Sequence, residues 1–193
     1  MVVVNKPNGK LRVCIDPRNL NKCIQREHYK LSTRDEITAK CAYAKWFSKL
    51  DASIGFWQVK LAEESSKLCT FNTPFGRYRY KRLPFGINSA TEVFSRIMAE
   101  IFQPIEGVET SVDDIMIEAD DKAEHDKILR KVLVTGIENG VTFNWDKSEI
   151  GQNQIVFISD LYTDKGVKPD EKKIQGILSM DHKTVQDHKT VLE

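Results

Sequence analysis

The sequence predicts an α+β domain in which an antiparallel sheet packs on helices. Three observations predict it. The run Trp46-Phe47-Ser48-Lys49-Leu50 and the two runs flanking Asp113-Asp114 have the apolar, β-rich character of strands. Segments starting at Ser89 and spanning about 121–138 carry apolar residues at helical spacing. The order strand, helix, hairpin, helix, closed by antiparallel pairing, is that of a sandwich of ferredoxin type. With 193 residues, 40% hydrophobic and 30% charged, the chain can form one sizeable domain or two small lobes.

The elements follow in chain order. Residues 2–5 and 10–15 flank Lys6-Pro7-Asn8-Gly9. Pro-Asn-Gly is turn chemistry, so this segment reads as a hairpin. Asp16-Pro17-Arg18-Asn19-Leu20-Asn21 leaves the second strand, and residues 22–33 read as an extended connector. Thr33, with Glu36 three residues later, has the spacing of a capping box for a short helix. The strand from Trp46 ends at Asp51. Trp57-Gln58-Val59-Lys60-Leu61 alternates apolar and polar, which predicts a half-buried strand. Residues 68–73 and 77–83 read as a second, basic hairpin around Pro74-Phe75-Gly76.

Ser89 starts a helix with Val93, Ile97 and Ile101, joined by Phe94 and Met98, on its apolar face. The helix over 121–138 turns Ile128, Leu129, Val132 and Leu133 inward and stops at Asn139-Gly140. Thr142-Phe143-Asn144 follows. Ile155-Val156-Phe157-Ile158 then pairs with Leu161-Tyr162-Thr163 or a later segment. Pro169-Asp170-Glu171 opens a short helix to about Leu178. Residues 179–193 read as an atypical tail, in which Asp181-His182-Lys183-Thr184-Val185 recurs as Asp187-His188-Lys189-Thr190-Val191. The duplication is too short for a repeat fold.

Composition narrows the classes. No apolar run approaches a membrane span or the h-region of a signal peptide, so the expected compartment is intracellular and no membrane partner is expected. Cys14, Cys23, Cys41 and Cys69 form no CxxC pair, which argues against a zinc or dithiol centre and for reduced, mostly packed thiols. The net charge of +1 hides an asymmetry. Residues 1–40 carry nine Lys/Arg against four Asp/Glu, and residues 67–82 carry five Lys/Arg and no acid. Residues 106–126 carry nine acids and one Lys. Basic segments can hold a phosphate backbone, and an acidic one can hold cations.

The acidic segment contains the candidate site. Val112-Asp113-Asp114 lies between two apolar runs, and Asp51 closes an earlier one. Adjacent carboxylates repel, and each raises the pKa of the other. A turn between two strands presents them together, and a divalent cation removes the repulsion. Hard oxygen ligands suit Mg²⁺, which leaves room for substrate phosphates. A carboxylate from a second strand completes the donor set of a two-metal site for in-line phosphoryl displacement.

Further motifs stand in a fixed order. They are Lys10-Leu11-Arg12-Val13-Cys14-Ile15-Asp16-Pro17-Arg18-Asn19-Leu20-Asn21, Phe47-Ser48-Lys49-Leu50-Asp51, Gly55-Phe56, Leu83-Pro84-Phe85-Gly86-Ile87-Asn88-Ser89-Ala90, Val112-Asp113-Asp114 and Val167-Lys168-Pro169-Asp170. Together they resemble the reverse transcriptase domain of gypsy-type LTR retrotransposon Pol polyproteins and, more distantly, retroviral polymerases. The resemblance covers about residues 2–178. It implies a right-hand polymerase with fingers at about 1–45 and 62–84 and a ferredoxin-like palm at about 46–61 and 85–178. It also implies RNA-directed DNA polymerase activity on a primed RNA or DNA template with dNTPs.

The same resemblance implies roles. Asp51, Asp113 and Asp114 would be the catalytic, metal-binding carboxylates for Mg²⁺ or Mn²⁺. Phe56 would be an aromatic gate against a ribose 2′-OH. Lys6 and Arg12 would grip the incoming triphosphate. Phe85 and Gly86 would lie beside the nascent base pair, and Phe157, Ile158, Ser159 and Asp160 would form the primer grip.

The chain departs from the family pattern at several places. Ser111 stands where Tyr usually precedes the Asp pair, Thr91 replaces a usual Pro, Lys30 and Ser32 replace two prolines, and Ser159-Asp160 replaces Gly-His. Asp160 is expected to set a negative charge near a primer phosphate. No thumb and no ribonuclease H carboxylate set is expected within these 193 residues. These departures support an alternative expectation of a catalytically inactive, decayed or host-retained remnant that keeps the fold and binds nucleic acid weakly.

Overall fold

A central strand buried on both faces organises the chain. In the computed structural model, β3 (Trp46–Ala52) pairs antiparallel with β7 (Asp114–Ala119) and with β8 (Phe143–Gln152), and β7 pairs with β6 (Val108–Ser111). The structure describes residues 2–5, 9, 11–26, 29–30 and 32–179. The sheet order is β6-β7-β3-β8. With α4 (Ala90–Phe102) between β3 and β6 and α5 (Lys122–Glu138) between β7 and β8, this is the ferredoxin-like arrangement expected from the sequence.

Both helices cover one face of the sheet. Leu50, Ile115 and Ile117 meet Phe94, Met98, Phe102 and Val132 there, all essentially inaccessible. On α4 the fully buried row is Phe94, Met98 and Phe102, while Val93, Ile97 and Ile101 are half-buried. On α5 Val132 is fully buried, and Ile128, Leu129 and Leu133 pack at its margin. The opposite face carries Phe47 and Met116, covered by Ile37, Ile155, Phe157 and Tyr162. A strand covered on both sides reads as a continuous apolar run. Ile115-Met116-Ile117 is therefore unbroken because successive side chains enter different cores.

A polar network crosses the first interface. Ser48 and His125 are completely buried. Ser48 Oγ accepts from the Gly151 N–H at 2.9 Å and shares a hydrogen bond of 2.8 Å with His125 Nε2. His125 Nδ1 then donates to Asp126 Oδ1 at 3.1 Å. The serine, histidine and aspartate are aligned as in a nucleophilic triad, but the hydroxyl meets no solvent. The network ties α5 to β3 and β8.

The remaining elements flank this body. β1 (Val2–Asn5) pairs with β2 (Leu11–Cys14), with Val2 opposite Cys14, as expected. The turn at Lys6-Pro7-Asn8 lies outside the described residues. α1 (Arg18–Cys23) forms where the sequence reading placed the end of a strand exit and the start of an extended connector. α2 (Arg34–Lys40) carries the expected capping box: Thr33 Oγ1 accepts the Glu36 N–H at 3.3 Å, and Glu36 Oε2 accepts the Thr33 N–H at 2.8 Å.

The strand expected over residues 57–61 is corrected. Ile54, at φ 64°, and Gly55, at φ 47°, reverse the chain, and residues 55–58 close a tight 3-10 turn. Strand-like bonding is confined to Leu83 N–H to the Val59 carbonyl at 2.9 Å and Leu61 N–H to the Lys81 carbonyl at 3.0 Å. α3 (Glu63–Leu68), absent from the sequence reading, follows. β4 (Thr70–Thr73) and β5 (Gly76–Arg79) form the expected hairpin.

β9 (Gln154–Phe157), β10 (Asp160–Thr163) and β11 (Gly166–Pro169) make a small antiparallel sheet. α6 (Glu171–Leu178) begins after Asp170, whose carboxylate caps it, so Pro169 ends a strand rather than opening the helix. The tail with its duplication lies outside the described residues apart from Ser179. Among the described residues no helix is long and apolar enough to cross a membrane, and all four cysteines are free.

Candidate active site

The end of β3 and the β6–β7 turn bring the three aspartates to one edge. Asp51 lies directly opposite Asp114 in the β3–β7 register, and Ser111 faces Asp114 from the other side. The Ala52 N–H donates to the Asp113 carbonyl at 2.7 Å, which ties the turn to the strand end. Val112 sits in the turn at φ 50°, and Ile54 beyond β3 at φ 64°. Two β-branched residues in the left-handed region flank the carboxylates, a strain that folds keep chiefly at functional sites. The Asp113 carboxylate packs on Gly55, where an added Cβ would lie 2.7 Å from Oδ1.

Charge is concentrated at this edge. Burial raises the Asp114 pKa above its ordinary value. Asp51 raises it further, while Lys49 and Lys147 oppose the shift. Lys147 Nζ stands 3.2 Å from Asp51 Oδ2. The donor set of hard oxygens, carrying a like-charge penalty that a cation would relieve, fits a divalent metal. Among the described residues, however, no three Asp, Glu, His or Cys side chains stand close enough together to hold one.

The aromatic residues singled out from the sequence meet. Phe56, in the turn after β3, lies 5.1 Å from Phe85 and 5.5 Å, edge-on, from Phe94 (ring centroids). Phe56 is thus half core and half rim. Gly86 has φ 112°, and a Cβ there would fall 2.5 Å from the Ile15 carbonyl oxygen. The close approach that requires glycine is therefore to the β2 exit. Asn21 completes this joint, donating to the Gly86 carbonyl at 2.9 Å and accepting from the Asn88 N–H at 3.1 Å. Lys6 lies outside the described residues. Arg12 is placed by its backbone in β2, opposite Val4.

The residues expected to grip the primer divide into two pairs. Ile158 (φ 48°) and Ser159 (φ 67°) form the exposed two-residue turn of the β9–β10 hairpin. Phe157 and Asp160 are buried, Phe157 against Tyr162. The negative charge that Asp160 was expected to set near a primer phosphate is already paired within the chain. The Asp160 carboxylate is bidentate to the Arg34 guanidinium, through Nε and, at 2.8 Å, through the terminal nitrogen. The charge is neutralised inside the fold.

Residues 4–183 match the family described as reverse transcriptase (RNA-dependent DNA polymerase). The chain belongs to the reverse transcriptase family. Among curated relatives, the uncharacterized protein K02A2.6 of Caenorhabditis elegans is 34% identical over 188 residues, which are 96% of this chain and 15% of that protein. The retrovirus-related Pol polyprotein from transposon 297 of Drosophila melanogaster is 32% identical over 184 residues, 92% of this chain and 17% of that one. The chain thus spans a small part of each relative's length. Among solved structures, the foamy viral protease-reverse transcriptase in complex with double-stranded DNA superposes with a TM-score of 0.85 at 26% identity, over 93% of this chain and 32% of that chain.

Within this reverse transcriptase fold, several residues that shape the site escaped the sequence reading. Ser148 Oγ accepts the Asp51 N–H at 3.2 Å and donates to the Asn144 carbonyl at 2.8 Å. Gln58 clamps the turn after β3 to the start of β8, donating to the Thr142 carbonyl at 3.1 Å and accepting the Thr142 N–H at 2.9 Å. Lys147 and Arg34 pair across 96 and 126 residues. Contacts at such separation leave no local pattern, although Lys147 and Ser148 stand together in a polar break between apolar runs.

Proposed function

We propose that this chain is the polymerising core of a gypsy-type LTR retrotransposon Pol polyprotein and performs RNA-directed DNA synthesis. Its substrates are a dNTP and a primer annealed to an RNA or DNA template. The observation that carries the reading is the register pairing of Asp51 with Asp114, beside the turn that holds Asp113. Fingers comprise about residues 1–45 and 62–84, and the palm about 46–61 and 85–178.

Asp51, Asp113 and Asp114 would hold Mg²⁺ or Mn²⁺. When bound, such cations lower the pKa of a primer 3′-OH and stabilise a leaving pyrophosphate. The chain's own residues position the reactants. The Phe56–Phe85 pair supports the sugar and base of the incoming nucleotide, and Phe56 blocks a 2′-OH. Gly86 lets the loop that carries Phe85 lie against the β2 exit. Lys6 and Arg12 hold the triphosphate, Lys as a point charge and Arg through its planar fork. The Ile158-Ser159 turn meets the primer, with Phe157 and Asp160 anchoring it from below. Clamping of duplex by a thumb and degradation of the RNA strand are assigned to other parts of such a polyprotein.

Primer extension tests this. Folded protein with dNTPs and Mg²⁺ or Mn²⁺ should extend a primer on an RNA template, and Asp113→Asn/Asp114→Asn should abolish extension. Absence of extension from protein that circular dichroism shows to be folded overturns the reading. It would select a second one, in which the fold persists without the chemistry, a reading that draws on Ser111 in place of the family's usual tyrosine.

A further inference from the structure

We propose that Lys147 is a resident counter-ion of Asp51, delivered by a built bulge in β8, and that a divalent cation occupies this site only by displacing it. The proposal rests on the reading of Asp51, Asp113 and Asp114 as cation ligands. It goes beyond that reading by giving the site a built-in competitor.

The bulge is the first observation. Along β3 and β8, Lys49 faces Glu149 and Asp51 faces Asn144, so Leu50 alone opposes residues 145–148. Pairing resumes beyond it, with Ala52 opposite Phe143. Such an insertion leaves ladder groups without partners and re-aims side chains. Here Ser148 replaces the lost ladder bonds, taking the Asp51 N–H and returning a bond to the Asn144 carbonyl. The backbone of the ligand residue and the closure of the bulge share one hydroxyl.

The second observation is what the bulge presents. Lys147 Nζ lies 3.2 Å from Asp51 Oδ2, with the lysine side chain 66% exposed and the aspartate 17%. The lysine thus reaches in from solvent on a flexible stem, and an exposed partner of that kind is held weakly. Lys49, the other cation at this edge, is engaged elsewhere, with Glu149 at 2.8 Å and the Val156 carbonyl at 3.2 Å. A single ammonium charge neutralises one of the carboxylates, whereas a divalent cation carries charge enough for two.

Binding of Mn²⁺ by the intact 193-residue chain, followed through the electron paramagnetic resonance signal of the free ion, tests this without reference to activity. Lys147→Gln should lower the Mn²⁺ dissociation constant by up to roughly fivefold, the most that loss of one exposed ion pair supports. Lys147→Arg, which keeps the counter-ion, should stay near wild type. Lys165→Gln, an exposed lysine in the turn between β10 and β11, controls for net charge and should also stay near wild type. If Asp51→Asn weakens binding but Lys147→Gln binds no tighter than wild type, the counter-ion proposal is overturned and the cation reading stands. If Asp51→Asn binds Mn²⁺ as wild type does, the cation reading fails and takes this proposal with it.

Discussion

Arg34 and Asp160 form a bidentate ion pair that joins α2 to the β9–β10 hairpin. The carboxylate is buried and the guanidinium half in solvent. Removing one partner leaves the other charge exposed to an unfavourable environment, whereas replacing both with apolar groups can be neutral. Arg34→Met should therefore lower the thermal midpoint markedly, and Arg34→Met/Asp160→Leu should recover much of the loss. Midpoints for the two single variants and the double variant measure the coupling; a fully additive double variant would remove the pair as an explanation.

Gly86→Ala should destabilise the chain by at least about 2 kcal/mol, because it combines a positive φ with a clash against backbone. The Ile15 carbonyl cannot retreat without breaking its strand exit. Urea denaturation checks this, and a midpoint equal to wild type would contradict the geometry.

Ser48→Ala deletes one oxygen and strands two groups, the buried His125 Nε2 and the part-buried Gly151 N–H. Stability should fall by roughly 1–3 kcal/mol, the cost of leaving buried polar groups unpaired. Hydrogen exchange at Gly151 should accelerate in the variant.

Glu118 gives the chain a pH dependence near neutrality. Burial, then repulsion from Glu109, Asp120 and Glu106, raises its pKa from 4.5 to about 7. The folded state therefore keeps a proton that the unfolded state has released between these values. Its contribution to stability is fully present below 4.5 and is lost as pH rises through 7. Glu118→Gln should leave the chain more stable than wild type at pH 8 and flatten the decline between pH 5 and 8, as read from urea midpoints at each pH.

Phe56→Val keeps a branched apolar group but removes the ring that meets Phe85 and Phe94. In the polymerase reading, discrimination against ribonucleotides should fall roughly tenfold or more. Single-turnover incorporation of matched rNTP and dNTP measures it. An unchanged ratio in an active enzyme would leave Phe56 as a packing residue.

The sheet and its helices were legible because their signals are local. Thr33 and Glu36 stand three residues apart, and the apolar runs around Asp113-Asp114 are contiguous. The adjacency of Asp51 and Asp114 followed from topology once the element order was read. The strand expected at 57–61 failed because alternation reports burial on two sides, and the backbone reversal at Ile54-Gly55 decides the conformation first. The apolar face of α4 was legible as a whole, with Phe94 and Met98, joined by Phe102, as its innermost row and Val93, Ile97 and Ile101 half-buried beside it. The direction of Asp160 was illegible for another reason. Its partner lies on α2, and only the folded chain brings a guanidinium there.

Asp51 and Lys147 are 96 residues apart in the chain. At ribosomal speeds of roughly 5–20 residues per second, the strand bearing Asp51 waits on the order of five to twenty seconds for β8 to emerge. During the first part of that interval Leu50 lacks Phe94, Met98 and Ile115, and Phe47 lacks Met116, Ile155 and Phe157, which follow them in the chain. Ser48, Lys49 and Asp51 interrupt the apolar run and act as gatekeepers against association with other chains. The polar residues of this strand thus serve the nascent chain before they serve the finished site, and a translation product stopped short of Gln152 would carry the aspartate without the strand that completes its surroundings.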